Sequence, residues 1–422
     1  MGQEDWPSLL LLPYPPEPAN RHALSAAYRP SLKAALARVK QPSGPARLVV
    51  AIACPLLQGQ FIRSKTFSWA QAQSLVAGLY SLIAALCAQL GISTEVDGGP
   101  GSVDATVVLV DHSRDRRFAS DFRPSIESNN TIVVDLPTFA SAYFPWRYIF
   151  SPRSELALDV YHTYLKFFEG RQTLRQDQLI PVEGGLTLNT SNASTPPAQT
   201  PTYPTVCLGG TFDYLHPGHK LLLTAGALLL QVPRETGPSS PPCRYIIGIT
   251  GDEMLRNKKF AEYVQPWAQR ARNVVAFLTQ LLELNPRGWK DGGGDAWDAA
   301  SYAVEETPAG EQQQLRATFR GGTIEVLCVC IQDAFGPTIT VEDMQALVVS
   351  GETREGGKAV NEERAKKGWN RLHVYEVDVL DAEETATVMV AAAAVDQYAS
   401  KISSTAIRKQ RAERAAKVGT KI

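Results

Sequence analysis

The chain has 422 residues, 44% of them hydrophobic, with 42 basic and 43 acidic side chains and a formal net charge of −1. This length predicts two or three domains, and the apolar content is ample for their cores. The balanced charge argues against a protein that binds nucleic acid or a membrane surface through a basic patch.

The cysteines and the apolar runs indicate the compartment. Six cysteines occur without a C-x-x-C pair, a usage typical of reduced, buried thiols in an intracellular protein. No apolar run is expected to reach the length of a membrane span. The amino terminus shows neither a signal-peptide nor a transit pattern. We therefore expect a cytoplasmic protein, with the nucleus as the alternative.

Residues 1–190 are predicted to form a small amino-terminal α/β domain. After an irregular Pro-rich lead-in at 12–18, β-branched runs predict strands at 47–53, 94–96, 106–111 and 131–135. Apolar residues at helical spacing predict helices at 68–90 and 156–168. The region contains no recognisable catalytic or ligand-binding motif. Its role is left open among docking, regulation and stability.

A boundary between domains is predicted from composition. Residues 191–204 are rich in Ser, Thr and Pro, which is typical of a linker. Everything that carries a motif follows this segment. We therefore expect residues 200–422 to fold and to act without the amino-terminal domain.

Residues 205–422 show strands that alternate with helices. The predicted strands are 206–208, 244–250, 323–330, 346–350 and 372–380, and the predicted helices begin at Pro217, near residue 265 and near Ser403. This alternation predicts a Rossmann-like parallel sheet, with ligands beyond the carboxyl ends of its strands. Two insertions, 232–242 and 285–322, are predicted to be surface excursions without regular structure.

The first strand of this second domain is followed by a candidate anion site. Gly209 and Gly210 allow a tight turn close to a ligand, and Pro217 is suited to the first position of a helix. His216 and His219 would then lie at the helix amino terminus, where free N–H groups and the helix dipole attract a phosphate. Two other interpretations are an ordinary strand–turn–helix connection and two ligands of a metal site, although no third ligand is nearby in the sequence.

Two later loops belong to the same edge of the predicted sheet. Lys258 and Lys259 follow the second strand, where they could reach a triphosphate or could simply be solvated. The loop after the fourth strand resembles a P-loop only superficially, because Gly357 stands where the P-loop lysine is needed. A P-loop kinase domain is therefore not expected.

The last predicted helix offers a second candidate anion site. Ser403 and Ser404 can cap its amino terminus, and Arg408 lies one turn beyond Ser404 on the same face. Hydroxyl groups, free N–H groups and a guanidinium would suit a phosphate. An ordinary cap on a basic helix is the alternative.

These motifs resemble those of a known family. Gly209-Gly-Thr-Phe-Asp-Tyr-Leu-His-Pro-Gly-His219, together with Ile402-Ser-Ser-Thr-Ala-Ile-Arg408, is similar to the signature pair of the HxGH nucleotidyltransferase superfamily. The Asn257-Lys-Lys loop and the stretch from Ser350 to Asn361 resemble eukaryotic phosphopantetheine adenylyltransferases, and the absence of a kinase segment resembles the monofunctional fungal type. The resemblance covers residues 204–415, about half of the chain.

The resemblance implies that residues 205–422 transfer the adenylyl group of ATP to 4′-phosphopantetheine and release pyrophosphate. The catalytic residues that it implies are His216, His219, Lys258 and Lys259. Which of the two lysines lies in the site is left open. The implied nucleotide-binding residues are Gly209, Gly210, His216, His219, Gly351, Ser403, Ser404, Thr405 and Arg408. The implied residues for phosphopantetheine are Thr211, Phe212, Lys258, Arg354 and Arg364.

The resemblance also implies the cofactor and the partners. Mg²⁺ would be bound through the ATP phosphates rather than in a protein cage. The partners would be the two substrates, and association with other enzymes of coenzyme A biosynthesis is consistent with this role. A cytidylyltransferase of the same superfamily that uses CTP, or a non-catalytic regulatory relative, would share much of the sequence pattern.

Overall fold

The computed structural model describes residues 6–57, 67–94, 98–124, 129–142, 145–187, 199–283, 305–306, 313–378, 380 and 403–419. Within them, helices cover two largely parallel β-sheets. The predicted fold class, a Rossmann-like α/β sheet preceded by a smaller α/β unit, is confirmed.

The first sheet is built from residues before the predicted linker. Its strands are β1 (Ser8–Leu12), β2 (Ala46–Cys54), β3 (Val103–Asp111), β4 (Val134–Asp135), β5 (Ile149–Pro152) and β6 (Leu179–Val182). Its helices are α1 (Arg21–Val39), α2 (Trp69–Gln89), α3 (Leu136–Ala142) and α4 (Glu155–Phe168). All six strands are parallel, in the order β4-β3-β2-β1-β5-β6.

Several predictions for this unit need correction. The segment before the Pro-rich lead-in forms β1, and α1 was not predicted at all. The strand predicted at 131–135 shortens to β4, because the side chain of Asn129 accepts from the amide of Thr131 and the Thr131 hydroxyl accepts from the amide of Val133. The strand predicted at 94–96 lies mostly outside the described residues.

The second sheet is built from residues after the predicted linker. Its strands are β7 (Thr205–Gly210), β8 (Cys243–Thr250), β9 (Glu305–Glu306), β10 (Gln314–Phe319), β11 (Ile324–Ile331), β12 (Ala346–Val349) and β13 (His373–Glu376). Its helices are α5 (Pro217–Ala227), α6 (Trp267–Leu282), α7 (Arg354–Lys366) and α8 (Ser404–Gly419). The order is β13-β12-β7-β8-β11-β10-β9, with β9 and β10 antiparallel at one edge.

The insertion predicted at 285–322 is only partly a surface excursion. Its end forms β10, which pairs with β11 and buries Leu315, Ala317 and Phe319. These alternating apolar residues have the period of a half-buried strand. The rest of this insertion lies outside the described residues, apart from β9, Gln313 and a turn at Arg320–Gly322.

The two sheets share a hydrophobic core. One cluster of buried side chains includes residues of α1, α2 and β3 as well as residues of β7, α5 and α6. The indole Nε1 of Trp69 in α2 donates to the carbonyl of Ala225 in α5, at 2.7 Å. The predicted linker, 191–204, lies largely outside the described residues, and the domain boundaries placed around it remain a prediction.

Helix α2 has the length and apolar character of a membrane span, with 21 residues and a mean hydropathy of 1.4 over its most apolar window. The expectation that no run reaches this length was therefore wrong. In the fold, 83% of that window is buried, which is usual for the central helix of a large core. All six cysteines are buried and none forms a disulfide, as predicted.

Candidate active site

The turn after β7 is held by local geometry. Phe212 and Tyr214 have positive φ angles of 52° and 46°, and the Phe212 ring is fully buried. A Cβ atom added at Gly210 would lie 3.0 Å from that ring, so this position favours glycine. The turn then leads into α5, whose first residue is Pro217 and whose N-cap is His216. The strand, glycine turn and helix predicted here are confirmed.

The imidazoles of His216 and His219 stack on each other at the start of α5. Their ring centroids are 3.9 Å apart with an angle of 23° between the planes, and the ring of His219 also lies 5.3 Å from that of Phe212. Among the described residues, neither Nδ1 atom has a hydrogen-bond partner. Both rings therefore keep a nitrogen for which the described part of the chain provides no donor or acceptor.

Both imidazoles are neutral at pH 7. Burial, with a smaller contribution from the Lys220 ammonium, lowers the pKa of His216 to about 4. Burial and the neighbouring His216 lower the pKa of His219 well below its ordinary value. An anion beside the rings would favour the protonated form and oppose these shifts.

Arg270 of α6 connects three segments at this edge of the sheet. Its side chain is fully buried. It donates to the carbonyl of Thr211 at 2.7 Å, to that of Thr250 at 2.8 Å and to that of Gln265 at 2.9 Å. It also forms an ion pair with Asp252, at 2.6 Å. The loop after β7 and the loop after β8 are therefore fixed relative to each other.

Asp213 and Arg408 bring the last helix to the same edge. The carboxylate of Asp213 accepts from Nη1 of Arg408 at 2.5 Å, and both side chains are buried. The Arg408 guanidinium also donates to the carbonyl of Lys259 and to the Thr405 hydroxyl, each at 3.1 Å. The hydroxyl of Ser404 donates to the carbonyl of Asp213, at 2.7 Å.

The start of α8 has the predicted cap. The Ser403 hydroxyl accepts from the amide of Ala406 at 3.2 Å. Ser403 and Thr405 are exposed, which leaves both hydroxyls accessible from solvent. The amino termini of α5 and α8, predicted as two anion sites, thus both adjoin the loop that follows β7. Ile402, the first residue of the second motif, lies outside the described residues.

The other predicted site residues lie in different surroundings. Lys258 and Lys259 are exposed on the loop after β8. Gly351 lies in the turn after β12, at the same edge because β12 is parallel to β7. Arg354 is exposed and forms an ion pair with Glu376 at the end of β13.

Arg364 is fully buried away from any open surface. Its guanidinium donates to the carbonyls of Thr338 at 2.7 Å, Val341 at 3.0 Å, Glu342 at 2.7 Å and Asn370 at 2.8 Å. These bonds join α7 to the segment before β12. They give Arg364 a structural role in place of the substrate contact predicted for it.

Sequence analysis assigned no role to Asp213 or Arg270. Asp213 was part of the quoted motif, and its buried arginine partner is 195 positions away, so no local signal connects the two. Arg270 carried a usable signal. It lies on the apolar side of α6, one turn before Val274, and a charge in that position has to be paired when it is buried.

Known proteins resemble this chain over different and partly overlapping stretches. Residues 1–188 match the model of a family described as a domain of unknown function (DUF8446). The phosphopantetheine adenylyltransferase of Saccharomyces cerevisiae is 26% identical over 292 residues, which are 67% of this chain and 70% of the yeast protein. The phosphopantetheine adenylyltransferase of Thermococcus kodakarensis is 25% identical over 199 residues, which are 46% of this chain and 89% of the archaeal protein.

A third relative carries no functional name. An uncharacterized protein of Schizosaccharomyces pombe is 31% identical over 210 residues, which are 50% of this chain and 49% of that protein. The chain is thus similar, at modest identity, to two proteins named for adenylyl transfer to phosphopantetheine.

Proposed function

We propose that this protein is a nucleotidyltransferase that transfers the adenylyl group of ATP to 4′-phosphopantetheine. The observation that carries the proposal is the stacked pair of His216 and His219 beside the start of α8, and the Nδ1 atoms of the pair have no hydrogen-bond partner in the described part of the chain. The similarity to the yeast and archaeal proteins named phosphopantetheine adenylyltransferase supports it.

The reaction needs positioning more than proton transfer. The second pKa of a phosphate monoester is about 6, so the attacking phosphate is already largely dianionic at neutral pH. Its oxygen forms a new bond to the α-phosphorus of ATP while the bond from that phosphorus to the bridging oxygen breaks, and pyrophosphate leaves. No general base is required, and the protein's task is to hold two anions in line and to neutralise the charge between them.

The site residues divide this task. His216 and His219 each donate an N–H to phosphate oxygens, with His219 at the α-phosphoryl group. The N–H groups and hydroxyls at the start of α8, Ser403–Thr405, bind the β- and γ-phosphates. Lys258 or Lys259 adds a positive charge from the opposite loop, and Thr211 contacts the phosphate of phosphopantetheine. Arg408 and Arg270 hold these segments in place.

The proposed site suits a metal ion that enters bound to ATP. Among the described residues, no group of three His, Cys, Asp or Glu side chains is arranged to hold a metal ion. We propose that Mg²⁺ binds through oxygens of the ATP phosphates, where it would neutralise negative charge. We also propose a cytoplasmic location, which the six buried cysteines without a disulfide support.

One experiment tests the proposal against its alternatives. The purified full chain is incubated with Mg²⁺, 4′-phosphopantetheine and either ATP or CTP, and pyrophosphate and the nucleotidyl product are measured. We expect pyrophosphate and dephospho-coenzyme A with ATP only. Turnover with CTP would identify a cytidylyltransferase, and no turnover with either nucleotide would indicate a non-catalytic relative. His219→Ala is the matched inactive control.

A further inference from the structure

Lys220 follows His219 directly, and its side chain enters the first unit of the chain. The side chain is 1% exposed. Its ammonium forms an ion pair with Asp104 of β3 and donates to the carbonyl of Ala105 at 2.8 Å. The helix that carries the histidine pair is therefore joined at its first turn to a strand of the other sheet.

The other carboxylate oxygen of Asp104 also accepts a hydrogen bond. Nε2 of Gln280 in α6 donates to Asp104 Oδ2 at 3.1 Å, and Oε1 of Gln280 accepts from the Thr106 hydroxyl at 2.9 Å. The network thus joins β3, α5 and α6, and every member is buried. A buried ion pair with additional hydrogen bonds has one preferred geometry, since each displaced polar group would lose its partner.

Among the described residues, the two imidazoles are supported by stacking on each other, and His219 by the Phe212 ring, rather than by hydrogen bonds to Nδ1. The described residues provide no hydrogen bond to either Nδ1 atom, so the ring positions follow the position of the first turn of α5. Displacements of about 1 Å in a catalytic group can cost on the order of 10²-fold in rate. A contact that fixes the first turn of α5 therefore contributes to the reaction geometry.

We propose that Asp104, in the amino-terminal unit, is a positioning residue that acts through Lys220 to align His216 and His219 for nucleotidyl transfer. The inference rests on the function proposed above, and it gives the unit with no assigned function a role in the reaction. Asp104 touches no substrate. Its effect is expected in kcat, with little change in the binding of ATP.

The test separates positioning from stability. In Asp104→Asn we expect kcat per folded molecule to fall about 10- to 100-fold, while the KM for ATP changes by less than about threefold. Lys220→Met should give a similar loss, and adding Asp104→Asn to it should lower kcat little further, since the two act as a unit. Asp343→Asn, which breaks the Arg244–Asp343 pair inside the second unit, is the matched control and should keep the parental kcat.

Two further measurements cover the remaining outcomes. If Asp104→Asn does not fold, Gln280→Met takes its place as the test variant. It removes one bond to Asp104 without leaving a charge unpaired, and we expect about a threefold to tenfold loss of kcat. In either variant, the ring-nitrogen NMR signals of His216 and His219 should shift while those of the other four histidines stay. A parental kcat with unshifted signals overturns the inference. If the unmodified protein shows no turnover, the proposed function is wrong. The NMR shifts alone then show whether Asp104 positions the rings.

Discussion

Asp213 and Arg408 form a buried ion pair, 2.5 Å between Oδ2 and Nη1, across 195 positions of sequence. Each residue belongs to one of the two motifs that predicted separate anion sites. The pair shows that the acidic residue of the first motif binds the arginine of the second. The two helix termini are therefore parts of one assembly, and Arg408 contributes by holding them together.

The first prediction concerns this pair. We expect Asp213→Asn to lower the free energy of unfolding by about 3–5 kcal/mol, because it leaves the buried guanidinium of Arg408 without its charge partner. Urea unfolding measures the loss. Glu253→Gln is the control, since its pair with Arg256 is exposed and exposed pairs contribute about 0–1 kcal/mol. Equal, small losses in both variants would show that the Asp213–Arg408 pair does not stabilise the fold.

Local patterns predicted much of the architecture around this site. The apolar run that begins at Val206, the two glycines and Pro217 each favour one local structure, and β7, the turn and α5 follow in that order. Ser68 similarly marks the start of α2, where its hydroxyl accepts from the amide of Gln71. These elements were predictable because residues close in sequence specify them.

Other parts depend on contacts that are remote in sequence. The run Ser8–Leu12 is short and continuously apolar, and such a run becomes a strand only when neighbours pair with it on both sides, as β2 and β5 do. Helix α1 contains Pro30 in its interior, which local rules count against a helix. The role proposed for Asp104 has no sequence signal, because its partner Lys220 lies in α5, 116 positions away.

The second prediction tests the histidine pair. If His219 donates to charge that develops on the α-phosphoryl group, its contribution exists mainly in the transition state. His219→Ala should lower kcat by roughly 10²–10³-fold, by analogy with the loss of one oxyanion donor, with a much smaller change in ATP affinity. Steady-state kinetics and an ATP titration give both values. A folded variant with the parental kcat would remove His219 from the catalytic assignment.

The third prediction follows from the lowered pKa values of the pair. His216 has a pKa of about 4 in the folded protein against an ordinary value of 6.5, so the unfolded chain binds the proton more tightly. Stability should therefore fall as the pH falls from about 6.5 to about 4. An anion beside the rings raises their pKa, and its binding should take up protons in this window.

Calorimetry measures this proton uptake. Pyrophosphate is titrated into the protein at pH 6 in two buffers of different ionisation enthalpy. The parent should take up more protons than His216→Gln, since the titration of pyrophosphate itself is common to both. His162→Gln, on the exposed side of α4, should match the parent. Identical uptake in parent and His216→Gln would place the anion elsewhere.

The fourth prediction concerns the packing of α5 on the second sheet. A Cβ added at Gly226 would lie 2.3 Å from the hydroxyl oxygen of Tyr245, which donates to the carbonyl of Leu223. Gly226→Ala should therefore cost about 1–3 kcal/mol of stability through overpacking. Gly356→Ala in α7 is the control. Its added Cβ would meet nothing within 4 Å, and the change should stabilise the helix by about 0.5–1 kcal/mol. The midpoint temperatures of thermal unfolding of both variants test this prediction. Equal midpoints would contradict the packing argument.

The last prediction reverses an expectation drawn from the sequence. The linker composition and the complete motif set suggested that residues 200–422 fold and act alone, and the archaeal relative is matched over 89% of its length by less than half of this chain. In this chain, however, removing residues 1–190 would leave Lys220 without Asp104 and would expose part of the core that α2 shares with α5. We expect the fragment to unfold at a lower temperature than the full chain and to lose at least tenfold in kcat, because the histidine helix loses its support. Adding residues 1–190 as a separate chain should partly restore the unfolding temperature and kcat. A fragment that unfolds cooperatively at the parental temperature, with kcat within a few-fold of the full chain, would show that the second unit positions its own histidines and that the contact with Asp104 is dispensable.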